Sequence, residues 1–313
     1  MRHLQQLRYI DAVARTGSIR RAAESLAITS TALNRRILAM EEDLGTPIFE
    51  RLSNGVRLSV AGELFIQHAR QQISDMERVQ SQIADLSGER RGHVSIMCGQ
   101  ALMLQFLPDL VSRYRADHPG VSFTAFIGGR QQAVSSLADF SSDLAFVYEM
   151  EPSSAVQMLY ETPQKLHVLM ADDHPLASKS EVRLSDCVQY PLALPSQRAG
   201  IRHSLNVAAA KRSLTLRAAV ESDSADFLLK CLRNEPLLAF QIPVAFAATG
   251  PGEGICAVPL HTNDLPPGML QLSQQRGRHL SVAAARFASF IMDSLSQMEE
   301  DSERSISQGG GEW

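Results

Sequence analysis

Residues 17–44 read GSIRRAAESLAITSTALNRRILAMEEDL, and the fold follows from how this stretch is partitioned. Ala22, Ala23 and Leu26 share one helical face and Leu33 and Ile37 another, with only Ala27-Ile28-Thr29 between them. Two helices joined so tightly must cross steeply, and the paired alanines let their backbones approach, which predicts a helix-turn-helix. Gly17 suits the end of a preceding helix, Ser18 the N-cap of the first of the pair, and Thr29 the N-cap of the second. The second helix then turns Ser30, Thr31, Asn34 and Arg35 outward near its start, where a helix lying in a major groove meets base edges.

The flanks extend this module. Leu4, Leu7, Ile10 and Ala14 form the apolar stripe of a first helix that can cover the pair. After Gly45, a residue suited to a left-handed helix stop, comes ERLSNGVRLS (50–59), in which Asn54-Gly55 predicts a two-residue hairpin turn and hence a wing. Arg51 and Arg57 flank that turn and are expected to hold phosphates and the adjacent minor groove, with Arg36 adding a backbone contact. From Ser59 as N-cap a long helix is expected to about Leu86, stopped by Ser87-Gly88. Its seam of Ile66, Ala69, Ile73, Met76, Val79, Ile83 and Leu86 wants another helix, most simply its own copy.

Ser18, Ala22-Ala23, Leu26, the A-L-x-R of Ala32 to Arg35, Ile37, Glu41, Leu44-Gly45, Phe49-Glu50-Arg51 and Leu58-Ser59 through Gly62 together resemble the N-terminal signature of LysR-type transcriptional regulators. The resemblance implies a winged helix-turn-helix, pairing through the linker helix, assembly as a dimer of dimers (a homotetramer), and a two-lobed effector domain of the periplasmic-binding-protein type. It implies double-stranded DNA with inverted half-sites, a small-molecule effector and the protein's own copies as partners, with RNA polymerase as a further candidate. A basic residue commonly stands where this chain has Asn54, and a glutamine often stands where it has Ser30, so no base-pair preference is carried over.

Charge agrees with a DNA reader. Residues 1–58 hold nine arginines and six acids, net +3, which leaves 21 bases against 28 acids, net −7, on the remainder. A basic head on an acidic body attracts phosphates at one end only. Cys98, Cys187, Cys231 and Cys256 are scattered without a C-x-x-C pair, so buried reduced thiols are expected in place of a metal site or a disulfide framework. The opening residues lack the apolar core of a signal peptide, and no apolar run approaches the roughly 20 residues a bilayer needs, so a cytoplasmic protein without membrane contact is expected.

Beyond His93 the pattern alternates. Val94 to Met97, Val121 to Ile127 and Leu144 to Tyr148 read as strands, with helices over 102–115 and 131–138 between them. A second series places strands at 167–171, 191–194, 216–220 and 237–241, with helices at 202–212 and 223–233. Met269 to Leu272 can return to the first sheet and Ser281 to Met298 close it. Such alternation predicts mainly parallel sheets in an α/β domain. The expected division is 1–58 winged helix-turn-helix, 59–90 linker helix, 91–299 effector domain and 300–313 disordered tail, with lobe I at 91–162 and 268–299 and lobe II at 163–267.

A cleft between the lobes would be lined by strand ends and helix N-termini, whose free N–H groups attract anions. The candidate effector contacts are Gln100, Ala101, Gly129, Arg130, Ser196, Gln197, Arg198, Ser222 and Asp223. Arg130 and Arg198 favour an anionic metabolite, because a guanidinium grips a carboxylate or phosphate through two parallel hydrogen bonds. No G-x-S-x-G, H-E-x-x-H or P-loop is present, and Asp172-Asp173 before His174-Pro175 reads as a turn, so neither enzyme, metal site nor cofactor is expected. A ligand-binding module whose helix-turn-helix touches only protein, and an enzyme on the same two-lobed fold, are the competing readings.

Overall fold

The computed structural model describes residues 2–86, 91–233, 235–246, 250 and 252–308. The expected helix stop at Ser87-Gly88 and residues 309–313 of the expected tail lie outside them. The chain divides into two compact units, 1–86 and 87–313.

In the first unit α1 (Arg2–Thr16), α2 (Ile19–Ser25) and α3 (Ser30–Leu44) enclose a core of Leu7, Ile10, Val13, Ala22, Ala23, Leu33 and Ile37. The caps are those the sequence suggests. Ser18 Oγ accepts from Arg21 N, Thr29 Oγ1 accepts from Ala32 N, and Gly45 stops α3 in the left-handed region at φ 71°. Ala27 takes φ 53° in the tight turn between α2 and α3, a conformation a non-glycine residue adopts only where its surroundings hold it there.

The wing is a hairpin of β1 (Phe49–Leu52) and β2 (Gly55–Leu58), and its turn corrects the sequence reading. Leu52 pairs with Gly55, so the turn residues are Ser53-Asn54. Gly55 is instead the first residue of β2, at φ 148°, because a Cβ there would lie 2.4 Å from the carbonyl oxygen of Gly17. Close approach to the end of α1 outweighs the local preference for Asn-Gly at the turn. The long helix α4 (Val60–Leu86) follows, with Ser59 Oγ accepting from Gly62 N.

The single dimer seam expected along α4 is also corrected. Ile66 and Ala69 are buried in the unit's own core with Ile73 packed against it, and Arg70 pairs with Asp11 of α1 at 2.6 Å. Val60, Leu64, Val79 and Ile83 stay exposed. The first half of the seam serves the domain itself.

In the second unit β3 (Gly92–Cys98) leads through a 3-10 turn (Gln100–Met103) into α5 (Phe106–Asp117), followed by β4 (Val121–Ile127), α6 (Arg130–Ala138), β5 (Leu144–Tyr148) and β6 (Val156–Gln164). The other lobe comprises β7 (His167–Ala171), α7 (Leu184–Cys187), β8 (Leu192–Pro195), α8 (Gly200–Lys211), β9 (Ala218–Ser222), α9 (Ala225–Cys231), β10 (Ala239–Gln241) and β11 (Ile255–Pro259). The chain then returns through β12 (Gly268–Gln275) and ends in α10 (Val282–Gln308).

The first sheet has the order β4-β3-β5-β12-β6, with β3, β4 and β5 parallel and β12 antiparallel to both its neighbours. In the second lobe β8 and β9 are parallel, while β7 lies antiparallel to β10 and β11. The sheets are therefore more mixed than simple alternation suggests. Two strands, β6 and β11, have no counterpart in the sequence reading. β6 is an edge strand carrying Pro163, and only Thr162 of its nine residues is buried, so it lacks the apolar run that marks a buried strand. The first crossing between lobes consequently follows Gln164 and not residue 162. The closing helix also runs past Glu299 to Gln308, into the stretch expected to be disordered, because no glycine or proline interrupts it before Gly309.

Candidate nucleic-acid interface and effector cavity

Two features hold α3 and the wing as one surface. Glu41 Oε1 accepts from Ile48 N at 2.8 Å and from Phe49 N at 3.0 Å, tying the last turns of α3 to the start of the wing. Val56 N donates to Gly17 O at 3.0 Å, tying the other strand to the end of α1. On this surface Ser30, Thr31, Arg35 and Arg36 are exposed and Asn34 is half-buried. Arg36 lies 4.7 Å above the ring of Tyr9, which fixes its stem.

The other arginines of the unit are mostly engaged. Arg8 pairs with Glu77, Arg15 with Asp11 and Arg20 with Glu24, while Arg21 Nη2 donates to Thr16 O. In the wing Arg57 pairs with Glu50 at 2.7 Å, and Arg51 Nη2 donates to Asn34 Oδ1 at 2.9 Å. Both wing arginines, expected at phosphates and the minor groove, thus also have a partner within the unit. Arg35 makes no hydrogen bond or ion pair among the described residues, and Asn54 sits exposed at the hairpin tip. A rigid helix therefore presents one uncommitted guanidinium beside three short polar side chains. That set can read base edges, since arginine reaches guanine O6 and N7 together.

The second candidate site is a cavity of about 210 Å³ between the lobes of the second unit. Gln100, Ala101, Gly129, Arg130, Ser196, Arg198 and Asp223 line it, as expected for strand ends and helix starts. Gln197 and Ser222 do not. The Gln197 side chain accepts from Asn206 Nδ2, and Ser222 Oγ accepts from Ser224 N as part of the turn into α9. Gly128, Gly200 and Ile201, which the same sequence rule also selects, line it too, and the walls added by the structure include Ile127, Gln132, Val147, Tyr148, Leu228, Leu229, Phe240, Gln241 and Ile242. Tyr148, at the C-terminal end of β5, follows from the same strand-end rule that selected Gln100. The leucines of α9 carry no such signal, because an apolar face serves a core equally well.

The cavity is polar at one end. The starts of α6 and α8 converge there, and the first N–H groups of a helix have no partner within it. Gln100 Nε2 is buried without a hydrogen-bond partner among the described residues. Arg198 is exposed at the rim, while Arg130 Nε donates to Glu149 O. The lobes touch here, for Arg130 N donates to Arg198 O at 3.4 Å and a Cβ on Gly200 would lie 1.9 Å from Tyr148 O. Burial, with the Glu149 charge nearby, pushes the Tyr148 phenol up to about 12, so it stays a neutral hydroxyl.

The histidine, aspartates and cysteines outside these two sites are structural. His174 is buried, its Nδ1 accepts from Leu176 N, its ring meets Tyr190 edge-on, and burial lowers its pKa. Asp172-Asp173 form a turn, and among the described residues no cluster of His, Cys, Asp or Glu could hold a metal. All four cysteines are free. Cys98 and Cys187 are buried, with burial raising both thiols, but Cys231 and Cys256 are only half-buried, short of the expected full burial. No helix among the described residues is long and apolar enough to cross a membrane.

A winged helix-turn-helix joined to a two-lobed domain with a cavity between its lobes is the plan of a ligand-responsive transcription regulator. Residues 4–63 match the family described as "Bacterial regulatory helix-turn-helix protein, lysR family", and residues 87–296 match "LysR substrate binding domain". The chain belongs to the LysR family of bacterial transcriptional regulators. It is 25% identical to the HTH-type transcriptional activator CmpR of Synechocystis sp. over 92% of this chain and 94% of that protein. It is 26% identical to the RuBisCO operon transcriptional regulator of Allochromatium vinosum, covering 94% and 97%. These relatives are regulators of transcription and not enzymes. Among solved structures, a full-length OxyR variant from Pseudomonas aeruginosa superposes with a TM-score of 0.69 at 19% identity, covering 93% of each chain. Full-length CbnR complexed with its target DNA gives a TM-score of 0.60 at 18% identity, covering 93% of this chain and 99% of that one.

Proposed function

We propose that this regulator reads an inverted-repeat operator through α3 and couples that reading to a small anionic metabolite held between the lobes of its second unit. Ser30, Thr31, Asn34 and Arg35 face base edges, with Arg35 on guanine, while Arg36, Arg51, Asn54 and Arg57 serve the backbone and minor groove. The single observation that carries this reading is Arg35, an exposed guanidinium without a partner among the described residues, on a helix whose opposite face is buried. The CbnR neighbour, solved on its target DNA, supports the docking mode.

Exposed Val60, Leu64, Val79 and Ile83 on α4 support pairing with a second copy, and two such pairs would form the tetramer. Converging helix starts, Gln100 Nε2 and Arg198 support a carboxylate or phosphate at the polar end of the cavity. Closure of the lobes on that anion alters the spacing of the paired DNA-binding units, a coupling between two sites. RNA polymerase is the partner through which a change at the operator reaches transcription, and the protein works in the cytoplasm where its DNA lies.

Genome-wide footprinting of the purified protein, followed by a thermal-shift screen of carboxylates and phosphates, tests the proposal. It expects discrete palindromic footprints, stabilisation by an anion that its neutral amide does not match, and loss of that stabilisation in Arg198→Ala. Binding without sequence preference contradicts the first half. Equal stabilisation by acid and amide contradicts the second.

A further inference from the structure

The hydrogen bond between the wing and the recognition helix fixes more than a distance. Arg51 Nη2 stands 2.9 Å from Asn34 Oδ1, and a guanidinium carries donors only. The Asn34 amide is therefore oriented with its oxygen toward the wing and its NH2 group away from Arg51. Asparagine recognises adenine by using both ends at once, the oxygen accepting from N6 and the nitrogen donating to N7. In this chain a charged donor already occupies the oxygen. Its positive charge disfavours the approach of a further N–H donor from adenine N6, and it favours the acceptors N7 and O6 of guanine. Charge-assisted bonds of this kind are about twice as strong as neutral ones, so turning the amide over is costly.

We infer that Arg51 is a positioning residue that converts Asn34 from an adenine reader into a donor that reads guanine. This rests on the proposal that α3 faces base edges. It gives Arg51 a part in sequence choice, where a phosphate contact alone would weaken binding to all sequences equally. It also makes the wing and α3 a single reading unit, since a residue of β1 decides what a residue of α3 can recognise.

The test is selection of binding sites by the full-length protein from a pool of random duplexes at low salt, followed by competition between single-base-pair variants of the selected site. Asn34→Ala identifies the base pair whose identity depends on Asn34. The wild-type protein is expected to prefer G·C over A·T there by about tenfold or more, and Arg51→Ala to shift the ratio toward A·T. Ratios are compared, so a general loss of affinity in Arg51→Ala does not enter.

A wild-type preference for A·T overturns the inference, as does a G·C preference unchanged in Arg51→Ala. A partial loss of affinity in Arg51→Ala is the share of its backbone contact, but loss of all binding overturns the inference too, since Arg51 would then be the dominant DNA contact and not chiefly a positioning residue. If Asn34→Ala alters no base pair while Arg35→Ala alters one, the inference fails and the recognition helix stands. If neither variant alters any base pair, both fail.

Discussion

The recognition surface of the first unit and the framework of the second use arginine in opposite ways. In the DNA-reading unit the decisive guanidinium, Arg35, is exposed and uncommitted. In the effector unit Arg198 is likewise exposed at the cavity rim, but the arginines that hold each lobe together are spent on carboxylates. Arg183 and Arg212 both bind Asp264, Arg278 binds Asp143, and Arg202 binds Glu221. Asp264 is only 3% exposed and also accepts from Leu184 N at 2.8 Å, so one carboxylate fastens the start of α7, the end of α8 and the loop before β12. An arginine meant for an outside partner is left idle on a rigid surface, whereas one meant to close a lobe is satisfied within it. Composition cannot distinguish the two, and geometry does.

The largest effect that sharpens this contrast is expected at Asp264. Burial by itself would raise its carboxyl, but hydrogen bonds from Arg183, Leu184 and Arg212 outweigh it and bring the group down to about 2. A depressed carboxylate contributes stability that is present above its ordinary value near 3.8 and is lost as pH falls toward 2. Asp264→Asn, which leaves two guanidinium groups short of a counter-charge, is expected to cost about 3 kcal/mol at neutral pH. Unfolding followed from pH 7 down to 2 should show a lower midpoint for the variant and a shallower acid limb. Wild-type stability in Asp264→Asn would break the contrast.

A smaller effect is expected in the wing. Arg57 and Glu50 form an exposed pair of the kind worth at most about 1 kcal/mol to folding, so Glu50→Gln should leave stability nearly unchanged. It frees a cation beside the DNA, and the dependence of log affinity on log salt should steepen by about one unit for all sequences alike. An unchanged salt slope would mean that Arg57 does not approach a phosphate.

Legibility in the sequence followed the range of the interactions. Ser18, Thr29, Ser59 and Gly45 are readable because a cap acts within a few residues of its helix, and each is found in its expected role. The two-lobed α/β plan is readable from alternation. The turn at Ser53-Asn54 was misplaced because the reason for Gly55 lies at Gly17, far away in sequence. β6 was invisible because an edge strand with Pro163 has no apolar run, and half the α4 seam was misassigned because periodicity does not say which neighbour a helix face meets. In the cavity, glycines and polar residues after strands were readable. Gln197 and Ser222 stood beside the right residues but were drawn into bonds with Asn206 and Ser224. Nothing local marks the Arg51 to Asn34 contact, which joins two elements across the hairpin.

The central claim is that α3 carries a base-reading arginine, and competition binding of Arg35→Ala over a range of salt concentrations tests it most directly. The account predicts a loss of about 1–3 kcal/mol confined to the cognate site, with preference relaxed at one base pair and non-specific binding little changed. An Arg35→Ala protein that weakens on cognate and random duplexes by the same factor, with every base-pair preference intact, would contradict it.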